Sequence, residues 1–189
     1  MPMKKLSLLF ILAIFASAAM FSGCEKLADE LENSVVVTIH AKLEAPITAV
    51  PSTGKFGSDG YGYNETAVLD PATNEDLADY LTSIDTIDVE SITILVTSVS
   101  SNNLILENST FTITDNVDGS SFTYSTPANT PVTVGTIFHV DSSLPGFNNV
   151  NLMMDSLHSA TVTAVGSVNQ NEFSIGYVYA VGVRVVASQ

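Results

Sequence analysis

Two residues of this 189-residue chain have the types and spacing for acid–base chemistry. His139 and Asp141 lie at i,i+2 on a predicted strand, so both side chains leave the same face. A carboxylate in that position can orient an imidazole, which is the working core of many hydrolytic sites. The same pair also fits a strand-end histidine beside a turn aspartate. His40 and His158 fall on a strand face and a helix end, and nothing in the sequence draws either toward His139. Calcium chemistry has an outline in Asp115-Asn116-Val117-Asp118-Gly119, where Asp115 and Asp118 could supply loop carboxylates. Val117, however, stands where an EF-hand places a ligand, and Asx residues with glycine equally serve a tight turn. Tyr61 and Tyr63, in Gly57-Ser58-Asp59-Gly60-Tyr61-Gly62-Tyr63, put two aromatic side chains on a glycine-rich segment, as a glycan or protein contact would; packing at a sheet edge is the competing assignment. The chain contains no HExxH, GxSxG, GxxxxGK[ST] or zinc-type cysteine spacing, so the sequence implies no cofactor and no enzyme.

The remaining reactive side chain is Cys24, the single cysteine, which therefore cannot join an internal disulfide. Met1-Pro2-Met3-Lys4-Lys5 forms a short basic start, and residues 6–20 are apolar apart from Ser7 and Ser17. That is the layout of a secretory signal, and the run is shorter than the about 20 residues a spanning helix needs. Phe21-Ser22-Gly23-Cys24 resembles the lipobox of bacterial lipoproteins, in the looser form familiar in the Bacteroidetes. The resemblance covers residues 1–24. It implies cleavage after Gly23, lipidation of Cys24 and retention on a membrane, with the outer membrane, at the cell surface or its periplasmic face, as the expected location. Several acyl chains, at about 0.8 kcal/mol per buried methylene, make a stable anchor. Residues 24–33 then read as the lipidated cysteine and an acidic tether, and 34–189 as one domain.

Cleavage removes Lys4 and Lys5 but no acid, leaving Lys26, Lys42, Lys55 and Arg184 against twenty carboxylates, a mature charge of −16. Such a chain lacks the basic footprint that nucleic acid requires, so nucleic acid is excluded as a partner. Its length of about 165 residues is enough to build a core without disulfides or metals.

The elements that must position these side chains are strands. Residues 34–44 alternate, with Val35, Val37, Ile39, Ala41 and Leu43 on one face, which predicts a half-buried strand. Residues 45–64, rich in Pro and Gly, read as a long loop with a short hairpin at Tyr61 and Tyr63. Leu77, Tyr80, Leu81 and Ile84 after a Thr73 or Asn74 cap predict a short helix. Strands are expected at about 86–99, 103–107, 109–115, 120–125 and 131–140, with Asp118-Gly119 as a hairpin turn. Phe147, Val150, Met154 and Leu157, at i, i+3, i+7 and i+10, predict a second helix over 148–158 with its Met-rich face directed to the core, followed by a strand over 160–168. The last strand puts Phe173, Ile175, Tyr177, Tyr179, Val181, Val183 and Val185 on one face and Ser174, Gly176, Ala180 and Gly182 on the other, with a bend or bulge expected at Gly176 or Gly182.

The fold class expected is therefore all-β, an antiparallel two-sheet sandwich, immunoglobulin-like or related, with one or two short helices. The function expected is a membrane-anchored, non-enzymatic binding or structural module of the cell envelope, touching protein or glycan. One alternative is a carrier of a small apolar ligand inside the sandwich, suggested by the Met153-Met154 pair and the small face of the last strand. A second is a hydrolase using His139 and Asp141.

Overall fold

The computed structural model describes residues 36–52, 55–56 and 60–188. The expected signal peptide (1–23), Cys24 and the expected acidic tether (24–33) lie outside the described residues. In chain order the elements are β1 (Val36–Ala49), β2 (Lys55–Phe56), β3 (Gly60–Leu69), β4 (Ile84–Val99), β5 (Ile105–Asp115), β6 (Ser121–Ser125), β7 (Thr130–Pro131), β8 (Ile137–Val140), helix α1 (Phe147–Asp155), β9 (Ala160–Val168) and β10 (Ile175–Ser188). They form two antiparallel sheets, β1-β10-β4-β8 and β2-β3-β9-β5-β6, with β7 added to β5. Without the two-residue strands β2 and β7, eight strands remain, and in chain order they run 1-8-3-6 in one sheet and 2-7-4-5 in the other. That is the connectivity of a jelly roll. The expected sandwich is thus observed, in a strand order related to, but different from, the immunoglobulin arrangement.

Period-2 alternation produces the core. Ala41, Leu43, Ala45, Ile47 and Ala49 of β1 are buried while the intervening residues are exposed. Every second residue of β10 from Ile175 to Val185 also points inward. The expected irregularity of β10 is present, but the extra residues sit on β4. The register skips Thr97 opposite Gly176 and Tyr177, and skips Glu90 opposite Gly182 and Val183. The displaced hydroxyls lie over the glycines: a Cβ on Gly182 would stand 2.6 Å from Ser91 Oγ, and one on Gly176 would stand 2.5 Å from Ser98 Oγ. The small face of β10 is thus occupied by its own neighbours.

Three expectations need correction. β1 continues to Ala49 through Pro46, and β3 spans Gly60–Leu69, so much of the expected loop is strand. Pro46 is accommodated because β1 is an edge, where a missing N–H breaks no ladder bond. The helix expected after Asn74 is instead a 3-10 turn, Pro71–Thr73, followed by i,i+3 turns: Leu77 N–H to Asn74 O, Tyr80 N–H to Leu77 O and Ser83 N–H to Tyr80 O. Asp70 and Asn74 spend their carboxylate and amide oxygens on Ala72 N–H and Asp76 N–H, which favours turns over a short and costly helical nucleus. Finally, the strand divisions differ: the two strands expected at 103–107 and 109–115 are one strand, β5, with a bulge at Glu107, and the single strand expected at 131–140 is two, β7 in one sheet and β8 in the other, with a turn closed by Thr136 N–H to Thr133 O between them.

The register Val36↔Ser188 sets the start of β1 beside the end of β10, so chain entry and C-terminus share one end of the sandwich. The residues after Ala49, Val99 and Val168 make loops at the opposite end.

Candidate functional site

The structure separates the residues singled out from the sequence. His139 is exposed on the outer side of β8, opposite Thr93. Asp141 directs Oδ1 to Ser143 N–H at 2.8 Å, and Ser143, through its N–H and its hydroxyl, holds the carboxyl below the usual range. Among the described residues no hydrogen bond joins His139 to Asp141, so the acid–base pair is not assembled and the hydrolase alternative loses its motif.

Asp115 and Asp118 are committed to their own turn. Asp115 Oδ1 accepts from Val117 N–H at 2.6 Å and Asp118 N–H at 3.4 Å, and Asp118 Oδ1 accepts from Ser120 N–H at 2.7 Å. Among the described residues no three His, Cys, Asp or Glu side chains are placed to hold a metal ion. The second oxygen of Asp115 makes a contact that sequence reasoning missed: Oδ2 lies 2.7 Å from His158 Nδ1, with the Asp115 side chain 2% exposed and that of His158 30% exposed. Burial pushes the Asp115 carboxyl up, but the His158 hydrogen bond, the Val117 and Asp118 amides and the imidazole charge together bring it below its ordinary value. No sequence signal joins residues 43 apart. Only the fold brings the β5–β6 turn against the segment that follows α1.

Tyr61 and Tyr63 have different fates. Tyr63 is fully buried, its hydroxyl donating to Ser109 Oγ at 2.7 Å and lying 3.3 Å from that of Tyr177. Gly166 makes room for this cluster, since a Cβ there would stand 2.6 Å from Tyr63 Oη and 2.7 Å from Asn108 O. Burial pushes the Tyr63, Tyr177 and Tyr179 phenols up, so all three stay protonated. Tyr63 as a ligand contact is thus corrected to a core residue. Tyr61 shares its inward phase but lies beyond the core, 39% exposed, paired with Val168 at the far rim.

Around Tyr61 the rim is an ordered set of amides. Asn169 Oδ1 accepts from Ile105 N–H at 2.9 Å and its Nδ2 donates to Asn103 O at 3.1 Å, while Gln170 Nε2 donates to Asn103 O at 3.2 Å and Ser101 Oγ at 3.3 Å. Ser100 Oγ accepts from Ser174 N–H at 2.9 Å. The opposite end is acidic, with Asp70, Glu75, Asp76, Asp79, Asp85 and Asp118 in or beside its turns. An open groove of about 370 Å³ between Lys42, Glu44, Val68, Asp70 and the 73–76 segment belongs to that half. Its cation is already paired, Lys42 Nζ lying 2.7 Å from Glu44, just as Arg184 pairs with Asp88 at 2.6 Å. Met153 and Met154 are buried in the core, so the Met pair and the small face that suggested an apolar carrier both serve packing.

No family model matches the chain, and no curated protein matches it. Among solved structures it is similar to a chain of Turnip Yellow Mosaic Virus, at 8% identity and TM-score 0.37 over 82% of this chain and 96% of that one. It is also similar to a chain of Mud crab tombus-like virus, at 8% identity and TM-score 0.39 over 82% of each. A third similarity, to a chain of infectious bursal disease virus Gx strain, has 16% identity and TM-score 0.31 over 82% of this chain and 33% of that one. Scores this low carry no argument about function.

Proposed function

We propose that the protein is a lipid-anchored, non-enzymatic module of the bacterial cell envelope, held on the outer membrane through Cys24 and making contacts with protein or glycan at the end of the sandwich remote from the anchor. The observation that supports this reading most directly is the placement of the two ends. Chain entry at Val36 lies at one end, and the ordered loops around Asn103 and Asn169 lie at the other. A chain anchored at Cys24 and entering the sandwich at Val36 presents those loops away from the anchored end, where they can meet a partner. Jelly rolls serve many unrelated purposes, so the fold class itself adds nothing to this reading.

Metabolic labelling with an alkyne palmitate in a lipoprotein-processing Bacteroidetes host tests the anchor. Label on the wild-type chain and none on Cys24→Ser is the expected result; an unlabelled wild type overturns the anchor. Protease shaving of intact cells then separates display at the surface from a periplasmic location.

A further inference from the structure

We infer that the outer face of the β1-β10-β4-β8 sheet is a contact between two copies of this chain, formed side by side on one membrane. The inference goes beyond the binding-module reading and rests on its lipid anchor. Pro46, Val178, Leu95 and Ile137 stand in register across all four strands on the face turned away from the core. Pro46 is exposed, Ile137 is 49% exposed, and Val178 and Leu95 are half-buried. An apolar row running the full width of a sheet is a patch that another surface covers.

The charges beside this row identify the occupant. The adjacent row runs Glu44, Ala180, Thr93, His139, with an acid on one edge strand and an imidazole on the other. Two residues further along, Lys42 stands on β1 and Asp141 just past the end of β8. Three strand spacings put these two edges about 14 Å apart, so neither pair closes within one chain. A two-fold axis parallel to the strands, midway between two such faces, lays β1 of each copy over β8 of the other and β10 over β4. Glu44 then meets His139 of the second copy, Lys42 meets its Asp141 and Arg184 its Asp88, while Pro46 covers Ile137 and Val178 covers Leu95. An imidazole has an N–H for a carboxylate in either protonation state. The same axis leaves both Val36 ends at one end of the pair, as two anchors in one bilayer require. An axis across the strands would stack β1 on β1 and point the anchors in opposite directions.

The size of the face sets the strength of the contact. Four rows on four strands cover roughly 400 Å² per copy, half of the about 800 Å² per partner in a stable complex. Free copies in solution therefore stay apart, and confinement to one membrane supplies the concentration that holds them together.

The test uses the full-length lipidated chain, dilute in phosphatidylcholine vesicles, and a bis-maleimide whose reach suits sheets packed about 10 Å apart. With the single native cysteine lipidated, Glu44→Cys and His139→Cys each carry one reactive thiol. An equal mixture of the two variants is expected to give at least about fivefold more cross-linked dimer than either alone. Adding Ile137→Asp to both chains, which sets a carboxylate in the apolar row, should return the yield to that of the single variants. Thermal melts confirm that each variant folds, and the mixture without Ile137→Asp decides alone if that variant does not. A mixture that cross-links no better than its components overturns the inference, as does Glu44→Cys joining mainly to itself, the mark of β1 set against β1. Undiminished cross-linking in a folded Ile137→Asp mixture overturns it too. Any of these results from a chain that takes the palmitate label leaves the anchor standing, whereas a chain that takes no label overturns the anchor and this inference together.

Discussion

The two flanks of the sandwich solve the same problem in opposite ways. On one flank the edges are short, β8 and β6, and α1 lies across them. Its Asn151 and Asp155 accept from Val89 N–H at 2.7 Å and Ile87 N–H at 3.0 Å, donors of β4 below the end of β8. Four residues of helix rise about 6 Å and two residues of strand about 6.6 Å, so a helix face can replace a missing strand. The same helix sends Asn149 Nδ2 to Ser121 O at 2.9 Å and sets Phe147 edge-on to Phe122 at 5.9 Å, and the Asp115–His158 bond clips its exit to the β5–β6 turn. On the other flank β1 is an edge of fourteen residues, and among the described residues no strand or helix pairs with its outer side. It is blunted instead: Pro46 removes a donor, the Lys42–Glu44 pair charges the strand, and Asn74 Nδ2 occupies Lys42 O at 3.0 Å. One flank is sealed by structure and the other defended by local chemistry, so damage to the first should lower stability and damage to the second should change association.

The largest loss on the sealed flank comes from its packing. Met154 is fully buried beneath α1, and Met154→Ala should cost about 3 kcal/mol in urea unfolding and lower the melting midpoint by about 10 °C. A loss below about 1 kcal/mol would mean that α1 rests on the sheet without anchoring there. The polar part of the seal is smaller. Asn151→Ala with Asp155→Ala should cost about 2 kcal/mol, one hydrogen bond each, and hydrogen exchange at Ile87 and Val89 amides should quicken. Asp155→Asn keeps an acceptor oxygen and should recover most of its share.

Acid should open the same flank. The folded Asp115 carboxyl titrates below its ordinary 3.8, so the stability it contributes is complete above that value and is lost as pH falls through the folded pKa. The urea midpoint should therefore hold from pH 7 to about pH 5 and drop below about pH 4. Asp115→Asn should start lower and fall less steeply; an equally steep fall would assign the acid sensitivity to other carboxylates.

This contrast between flanks was only half legible in the sequence. Alternation in β1 and β10 revealed which residues face the core, because a strand's period is local. The spacing of Phe147, Val150 and Met154 likewise revealed α1. Whether a strand is an edge depends on partners far along the chain, which is why Pro46 read as the beginning of a loop although it lies within a strand. The same dependence on distant partners hid the jelly-roll order and the Asp115–His158 bond. Tyr61 and Tyr63 look equivalent in sequence, two residues apart; the end of the opposing sheet's core puts one in the interior and leaves the other at the rim.

The smallest effect on stability belongs to Pro46, and it is the sharpest test of the open flank. Asn74 reaches Lys42 O from the side away from β10, so the backbone groups of Lys42 point outward. Residues two apart along a strand share that orientation, so the ring nitrogen of Pro46 also faces outward, where it denies an incoming strand a donor. Pro46→Val keeps the pairing with Val178 and adds an outward N–H, so folding stability should change by no more than about 0.5 kcal/mol. Association should change more. In sedimentation velocity Pro46→Val should show a concentration-dependent dimer absent from wild type, and Asn74→Ala, which frees the Lys42 carbonyl, should strengthen it. A Pro46→Val protein that stays monomeric would show that the Lys42–Glu44 pair and the twist of β1 defend the edge alone; a wild-type dimer of the same kind would show that the edge is not defended and that β1 is itself a pairing surface.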